Sequence, residues 1–295
     1  MMNFKTPSQF QAYDKVKSSE IGNNGIIKIE LATGTDSKTF IKDLQTKAPL
    51  LIQKAMYPDT EFPKTAHIYI MSSSGGILQG DKMEIDIIAG KNTSSYITTQ
   101  AATKIYKMEK RYASQYVTIC TQNDSYLEFL PNQIIPYKSS KFYQEVNLKI
   151  GTNSTMIYSE IISAGRMASG EKFDFDICFL RLTAYNENDK ILFSDVLNLE
   201  PGKNSKEFEY LFANKTICST VYIITKLIKY EDIDSEIYSS VKNKSILAGC
   251  STLPYDSGMV VRILSNSIDE IKDLISTIVN IVRRRVPQNH TLAQH

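Results

Sequence analysis

The sequence predicts a predominantly β protein that forms a single domain. Two observations support this prediction: strand-forming residues are abundant, and apolar residues alternate with polar ones along many short segments. The 295 residues include 17 tyrosines, 12 phenylalanines and no tryptophan, with many isoleucines and threonines, a composition that favours strands. A β-rich chain of this length often forms one domain. We therefore expect one domain over residues 1–295, with frayed tails at about 1–20 and 287–295.

Period-two alternation marks the candidate strands. Along residues 83–87, for example, Met83, Ile85 and Ile87 alternate with two carboxylate side chains, as expected of a strand with one buried face. Turn-forming residues such as 151–153 separate the alternating segments. The segments lie at 68–71, 83–87, 96–100, 115–120, 142–150, 155–163, 173–183, 190–199, 217–229 and 258–264.

Two short segments have helical signals. Residues 41–48 form a candidate that ends before Pro49, because the residue preceding a proline disfavours the helical conformation. Residues 234–246 form the second, with Asp234 as its N-cap. Helices are therefore expected to be few.

The clearest helix lies near the C-terminus. Ser267 and Glu270 have the spacing of a capping box. Arginines 283–285 stand where the negative end of the helix dipole favours cations, and Pro287 ends the helix. Because nothing else in the chain is basic in bulk, a role at the helix end is favoured over a nucleic-acid patch for the three arginines. An apolar stripe on this helix serves either as a core face or as a docking face, and consists of Ile268, Ile271, Leu274, Ile275, Ile278 and Val282.

The charge balance and the cysteines restrict the partners and the compartment. The 34 basic and 32 acidic residues give a net charge of +2, which is not the basic footprint of a nucleic-acid-binding protein. The N-terminus lacks the apolar segment of a signal peptide, and no apolar run approaches the length of a membrane span. The four cysteines are far apart without a CxxC pair. We therefore expect a reduced, cytoplasmic protein with no nucleic-acid or membrane partner.

A glycine-containing loop, SSSGGILQGD at residues 72–81, is the most distinctive local feature. Gly75, Gly76 and Gly80 allow backbone angles and close approaches that other residues do not. The loop superficially resembles a phosphate-binding loop, which requires the pattern G-x-x-x-x-G-K-[ST]. Here Asp81 follows the last glycine and Met83 replaces the hydroxyl residue. The sequence therefore excludes nucleotide binding at this loop.

The usual hydrolase motifs are missing from the sequence. The three histidines are His67, His290 and His295, and neither a G-x-S-x-G elbow nor an H-E-x-x-H pair occurs. His67 lies in an alternating segment, where a packing or hydrogen-bonding role is favoured over that of a catalytic base. A nucleophile with its base is not indicated.

Two charged residues share the apolar faces of their predicted strands. Glu160 has the same phase as Tyr158 and Ile162, and Arg262 has the same phase as its apolar neighbours in 259–264. A charge on such a face is costly unless it is paired or hydrated. One interpretation is a buried ion pair or the hydrogen-bonded end of a sheet. The other is a polar interior path whose oxygen atoms bind a divalent ion weakly, lined by Asp81, Asp86, Glu160 and Glu171.

An ordered set of motifs resembles the urease accessory protein family UreD, also called UreH. The motifs are SSGGILQGD (73–81), TTQAATKIY (98–106), LEFLPNQIIPY (127–137), GRMASGE (165–171) and CSTLPYDSGMVVRIL (250–264). The resemblance covers nearly the whole chain. It departs from the family at Ser73, Ser74 and Met167, where the family has prolines, and at Gln79, where it has glycine. The shape of the glycine loop is expected to differ accordingly.

The resemblance implies a large scaffold of two sheet layers with many short strands and a few helices, including one at the C-terminus. It implies a maturation chaperone that is not an enzyme and that binds nickel-free urease subunits and UreF, and through UreF the GTPase UreG. It also implies transient Ni²⁺ without a tight metal site or a tightly bound cofactor. Together with the carboxylates above, the predicted nickel path comprises Asp81, Asp86, Thr98, Gln100, Lys104, Glu160, Arg166, Ser169 and Glu171, with Gly75, Gly76 and Gly80 shaping the loop.

Two alternatives remain at the level of the sequence. One is a β-rich metal-dependent hydrolase that uses Asp81, Asp86 and Glu171, against which the shortage of histidines and the missing nucleophile count. The other is a generic protein-binding module that docks through its C-terminal helix.

Overall fold

A computed structural model of the chain describes residues 7–11, 22–202, 205–241 and 245–286. The prediction of a predominantly β protein with a few helices is confirmed. The strands are β1 Asn24–Thr33, β2 Thr39–Lys47, β3 Leu50–Ile52, β4 Ala66–Ser72, β5 Lys82–Ala89, β6 Ser94–Thr99, β7 Thr103–Ile105, β8 Ala113–Thr121, β9 Tyr126–Phe129, β10 Ile134–Pro136, β11 Lys141–Ile150, β12 Thr155–Ser163, β13 Ile177–Asn186, β14 Ile191–Leu199, β15 Ile217–Ile224, β16 Leu247–Thr252 and β17 Gly258–Ser265. The helices are α1 Ser8–Gln11, α2 Ser205–Leu211, α3 Asp234–Val241 and α4 Ile268–Arg283.

The strands form two sheets. In the seven-stranded sheet the order is β14-β13-β11-β8-β5-β1-β2, and in the ten-stranded sheet it is β16-β17-β15-β12-β9-β6-β4-β3, with β10 and β7 beside β12. Within the part of the chain that the structure describes, no helix is both long and apolar enough to span a bilayer.

The middle of the chain winds alternately between the two sheets. Strands β4, β6, β9 and β12 lie in the ten-stranded sheet, while β5, β8, β11 and β13 lie in the seven-stranded sheet. Neighbours within each series pair in parallel. Each pass through both sheets therefore makes one coil, and successive coils stack. Antiparallel pairs, β1 with β2 and β3 with β4 at one end and β13 with β14 and β15 with β17 at the other, close the stack.

The main hydrophobic core fills the space between the sheets. In some strands the inward residues alternate with exposed or half-exposed ones, as in β5, where Met83, Ile85 and Ile87 are buried. They face residues such as Phe129 and Tyr158 from the ten-stranded sheet within one cluster. The alternation read from the sequence thus corresponds to the inner faces of two sheets.

Helix α4 covers the outer face of the ten-stranded sheet and forms a second core there. Its apolar stripe is buried against β15 and β17, so the stripe is a core face. The Ser267 side chain accepts a hydrogen bond from the backbone N–H of Glu270, as predicted. The reciprocal bond of the capping box is replaced, because the Ser267 backbone N–H donates to the Ser265 hydroxyl oxygen, while the Glu270 carboxylate accepts hydrogen bonds from the hydroxyls of Ser265 and Ser245.

The prediction of a helix at residues 41–48 is wrong. This segment is strand β2, which pairs antiparallel with β1 along almost its whole length. Pairing with a strand that already belongs to a sheet outweighs the weak local helical signal. The alternating pattern of β1, NGIIKIELAT, was itself overlooked in the sequence.

The predicted helix at 234–246 is present and shorter. It runs from Asp234 to Val241, and Asp234 is its first residue, with a carboxylate that accepts the N–H of Ser235. Residues 242–244 lie outside the described part of the chain, as do the predicted frayed tails apart from residues 7–11.

Candidate functional site

A cavity of about 270 Å³ lies between the two sheets. At one end it is lined by the glycine loop and by Gln100 and Lys104, where the chain is exposed or half-exposed. At the other end it reaches Gln144 on β11 and Glu160 on β12. The cavity therefore runs along the stack of coils, from the β3–β4 end towards the middle.

A row of hydrogen-bonded polar side chains crosses this cavity. The Gln115 amide donates from Nε2 to Oε1 of Gln144 at 3.2 Å, and Gln144 donates from Nε2 to Oε1 of Glu160 at 2.8 Å. The Tyr158 hydroxyl donates to the same Glu160 oxygen at 2.9 Å. The row thus connects three strands from both sheets inside an otherwise apolar core.

Of these residues, Glu160 was predicted from its strand position, and the two glutamines were not predicted. A signal was present, because Gln144 has the same phase as Phe142 and Val146, which are fully buried. A polar residue among buried apolar positions of a strand indicates an interior hydrogen-bonding role. The same criterion that selected Glu160 would have selected Gln144.

The environment of Glu160 shifts its proton equilibrium. Burial raises the pKa of the Glu160 carboxyl to about 7, and the Asp195 carboxylate nearby adds to the rise. The hydrogen bonds from Tyr158 and Gln144 and the charge of Arg262 oppose it. The carboxyl therefore exchanges a proton near neutral pH, and a cation that binds there competes with that proton.

A second, smaller void lies on the far side of Glu160. It measures about 10 Å³, and its lining includes Glu160, Asp195, Cys218, Tyr222 and Arg262. The Arg262 guanidinium donates to Asp195 at 2.5 Å, and the Tyr222 hydroxyl donates to the same carboxylate oxygen at 2.7 Å. Arg262, which the sequence placed on an apolar face, thus forms an ion pair with Asp195.

The glycine loop packs closely at the open end of the cavity. A Cβ atom on Gly76 would lie 2.6 Å from the Tyr106 ring and 2.7 Å from the Lys104 carbonyl oxygen, which is closer than real Cβ contacts. Gly80 has a φ of +79°, in the left-handed region that favours glycine. One carboxylate, Asp81, is buried and accepts the backbone N–H groups of Asn23 at 2.7 Å and Leu78 at 2.8 Å. Its contacts fasten the loop to the chain before β1.

The GRMASGE segment forms a loop of its own. The Arg166 guanidinium pairs with Glu171 at 2.6 Å and lies 4.5 Å from the centre of the Tyr137 ring. The Glu171 carboxylate also accepts the N–H of Lys138 at 3.1 Å. Ser169 is exposed in a short 3-10 turn. These contacts hold the loop against the segment that follows β10.

The remaining predicted path residues lie outside the cavity. Asp86 lies on the outer face of β5 and pairs with Lys28 at 3.8 Å, and Thr98 donates to the Leu130 carbonyl at 2.6 Å. The cavity is thus lined by three of the nine predicted path residues, Gln100, Lys104 and Glu160. Within the described residues, no three His, Cys, Asp or Glu side chains converge as a metal site. A role in a nickel path stays a prediction for all nine.

A groove of about 650 Å³ runs between α4 and the outer face of β4, β6 and β9. At its base the fully buried Glu128 accepts two hydrogen bonds from Arg283, at 2.6 and 2.7 Å, and Arg283 also contacts Asp59 at 3.3 Å. The sequence predicted that Arg283 interacts with the negative end of the helix dipole. Its ion pair with Glu128 was not predicted.

Beside this ion pair, the rings of His67 and Tyr96 are 5.0 Å apart, and burial lowers the pKa of His67. These contacts agree with a packing role for His67.

Fold and site together define a class of protein: a two-sheet β scaffold with a polar row inside its core. A family model described as the UreD urease accessory protein matches residues 24–294. Similar proteins include the urease accessory protein UreD of Cenarchaeum symbiosum (strain A), 32% identical over 263 residues that span 89% of this chain and 92% of the relative. The UreD of Photorhabdus laumondii is 30% identical over 275 residues, or 92% and 85% of the two chains. The UreD 2 of Streptomyces griseus is 30% identical over 262 residues, or 88% and 89%. The chain belongs to the UreD urease accessory protein family.

Proposed function

We propose that this chain is a maturation chaperone for urease and is not itself an enzyme. In the cytoplasm it binds nickel-free urease subunits and the accessory protein UreF, which brings the GTPase UreG. GTP hydrolysis is done by UreG, and this chain helps nickel to reach the urease active site. Membership of the UreD family supports the role in urease maturation, and the motif resemblance supports the named partners.

The polar row along the inter-sheet cavity carries the nickel part of the proposal. Amide and carboxylate oxygens from Gln115, Gln144 and Glu160 line one continuous space. Such oxygen ligands bind nickel less tightly than imidazole or thiolate ligands, and a cargo ion must leave its ligands readily. A carboxyl that exchanges its proton near neutral pH provides a site that a cation occupies and vacates. Ni²⁺ is therefore transient cargo, with no tightly bound cofactor.

Co-expression tests the maturation role. Urease made with the other accessory proteins but without this chain is expected to remain inactive and poor in nickel, as measured by urea hydrolysis and by metal analysis of the purified enzyme. Full activation in the absence of this chain would contradict the proposal.

Single substitutions test the path. Glu160→Ala is expected to lower urease activation by about tenfold, the scale on which lost ligand interactions weaken metal handling, while UreF is still retained in a pull-down. The resemblance predicts a similar loss for Glu171→Ala. Glu84→Gln is the matched control, since Glu84 is paired with Lys82 on the outer face of β5. If both Glu160→Ala and Glu171→Ala activate urease as well as Glu84→Gln, these two carboxylates have only structural roles.

A further inference from the structure

A short segment before β1 packs on the outer face of the seven-stranded sheet. Helix α1, Ser8–Gln11, is a single turn, and the side chain of Phe10 is fully buried. Residues 7–11 precede residues 24–294, the part of the chain that the family model matches. The contact is therefore made by a segment outside the matched domain.

Phe10 fills an aromatic socket, formed by Tyr112, Tyr143 and Phe179. Its ring meets these three rings edge-on, with 4.8, 5.4 and 6.2 Å between centres, a geometry that aromatic pairs prefer. Tyr143 and Phe179 are partners on the paired strands β11 and β13, and their rings stack at 5.7 Å. The socket belongs to a cluster that is separate from the inter-sheet core.

The socket is held by groups of the sheet itself. The Tyr143 hydroxyl donates to the Glu145 carboxylate at 2.5 Å and accepts from the Arg181 guanidinium at 2.5 Å. Arg181 also pairs with Glu145 at 2.8 Å. If Phe10 left, these contacts would keep the rings in position and solvent would reach them. Tyrosine and arginine are enriched among the residues that contribute most to protein–protein binding.

The segment that carries Phe10 has few other contacts. The backbone N–H of Phe10 donates to the Pro7 carbonyl at 2.9 Å, and the exposed Gln9 amide donates to the Glu200 carboxylate at 3.2 Å. One helical turn is not stable by itself. The conformational entropy lost by ordering five residues is comparable with the free energy gained by burying one aromatic side chain. The segment therefore opens at a small free-energy cost, and its open form is populated.

We propose that Phe10 is an autoinhibitory plug, which fills the aromatic socket in the free chain and leaves it when a partner protein supplies an aromatic side chain. The contacts of residues 7–11 define the chemistry of the partner segment. It carries a phenylalanine or tyrosine for the socket, beside an amide or cationic donor for the exposed Glu200 carboxylate at the rim. This docking face lies on the opposite side of the seven-stranded sheet from the inter-sheet cavity.

A blocked peptide of residues 6–12, TPSQFQA, is the probe. Saturation-transfer NMR is expected to show that it binds full-length Phe10→Ala, whose socket is vacant. Its apparent affinity for wild type is expected to be about tenfold weaker or less still, because the open form is a minor state. The same peptide carrying Phe10→Ala is expected not to bind.

Two double variants locate the binding. Phe10→Ala with Tyr112→Ala removes the nearest ring of the socket and is expected to lose the probe. Phe10→Ala with Tyr210→Ala is the matched control, since it removes an exposed ring of α2, and is expected to keep the probe. Binding that is equal in wild type and Phe10→Ala, absent from Phe10→Ala, or retained without Tyr112 would overturn the proposal.

Hydrogen exchange of wild type measures the opening directly. The Phe10 amide is expected to exchange at least about a hundredfold faster than the amides of β11, because only the segment has to open. Exchange as slow as that of β11 would show that residues 7–11 are a permanent part of the fold and would overturn the plug. These measurements involve neither urease nor nickel, so their outcome is independent of the proposed function.

Discussion

Among single residues, Glu160 has the most informative environment. Its carboxyl is held by Gln144 and Tyr158 inside the inter-sheet cavity. Burial raises its pKa from the ordinary 4.5 to about 7. The folded state therefore binds this proton more tightly than the unfolded state does. The contribution of the protonated Glu160 carboxyl to the free energy of unfolding is fully present below the unfolded pKa. It is lost as the pH rises through the folded pKa.

The pH dependence of stability checks this environment. Between pH 5 and pH 8, wild type is expected to lose about 2 kcal/mol of unfolding free energy relative to Glu160→Gln, since one pKa unit corresponds to about 1.4 kcal/mol. The measurement is urea denaturation of both proteins at the two pH values. A difference between them that does not change with pH would show that Glu160 titrates as it does in water.

Gln79 is the loop residue that departs from the family motif in an informative way. Its side-chain oxygen accepts three backbone N–H groups, from Glu109 at 2.9 Å, Lys110 at 2.8 Å and Arg111 at 3.3 Å. The side chain thereby ties the glycine loop to the segment between β7 and β8. A glycine at this position cannot supply that acceptor.

Hydrogen exchange tests the tie. In Gln79→Gly, the amide of Lys110 is expected to exchange about five- to tenfold faster, corresponding to the loss of roughly 1 kcal/mol of hydrogen bonding. Gln79→Glu keeps an acceptor oxygen at the same distance along the side chain and is expected to retain slow exchange. Equal exchange in all three proteins would show that the segment is held by its other contacts.

At the residue scale, the sequence indicates chemistry only where a side chain conflicts with its strand. Glu160 and Arg262 were found in this way, and both border the inter-sheet spaces. Asp81 and Glu171 came from motifs, and the structure places both in contacts that hold loops. A match to a motif indicates that a residue matters, but it does not show whether the side chain binds a ligand or stabilises a loop.

Among the elements, helix α4 combines local and long-range determinants. Its cap at Ser267 and its apolar stripe are local, and the sequence predicted both. Its ion pair with Glu128 joins residues 155 positions apart, which no local pattern indicates. At β2 a weak local signal led to the wrong prediction of a helix. The long-range pairing with β1 determines that this segment is a strand.

Two neighbouring arginines on this helix give a matched test. Arg283→Ala is expected to destabilise the protein by about 3–5 kcal/mol, because it leaves the fully buried Glu128 carboxylate without its ion-pair partner and with only the Tyr126 hydroxyl as a donor among the described residues. Arg284→Ala removes an exposed pair with Glu236 and is expected to cost less than about 1 kcal/mol. Urea denaturation of both variants measures the difference. Similar small losses in both would show that Glu128 accommodates the missing charge by taking up a proton.

For the whole molecule, the sequence predicted strands and their buried faces but not their arrangement. Alternation along β5 and β8 indicates one buried face in each strand, and it is identical for a hairpin and for a parallel stack. That β5 and β8 are neighbours in parallel, with β6 in the other sheet, depends on crossings between the layers. The two-layer scaffold was therefore predicted from the resemblance, and the inter-sheet cavity could not be predicted from spacing.

The coiled path of the chain has a consequence for its synthesis. Each coil pairs mainly with the coil before it, so a chain leaving the ribosome can add β6 to β4, then β8 to β5, without waiting for its C-terminal half. The glutamines of β8 and β11 are then in place before β12 brings in Glu160. The last strand to arrive is β17, which carries Arg262. A nascent chain would therefore form the lining of its inter-sheet cavity first, and the ion pair of Arg262 with Asp195 only when translation is nearly finished.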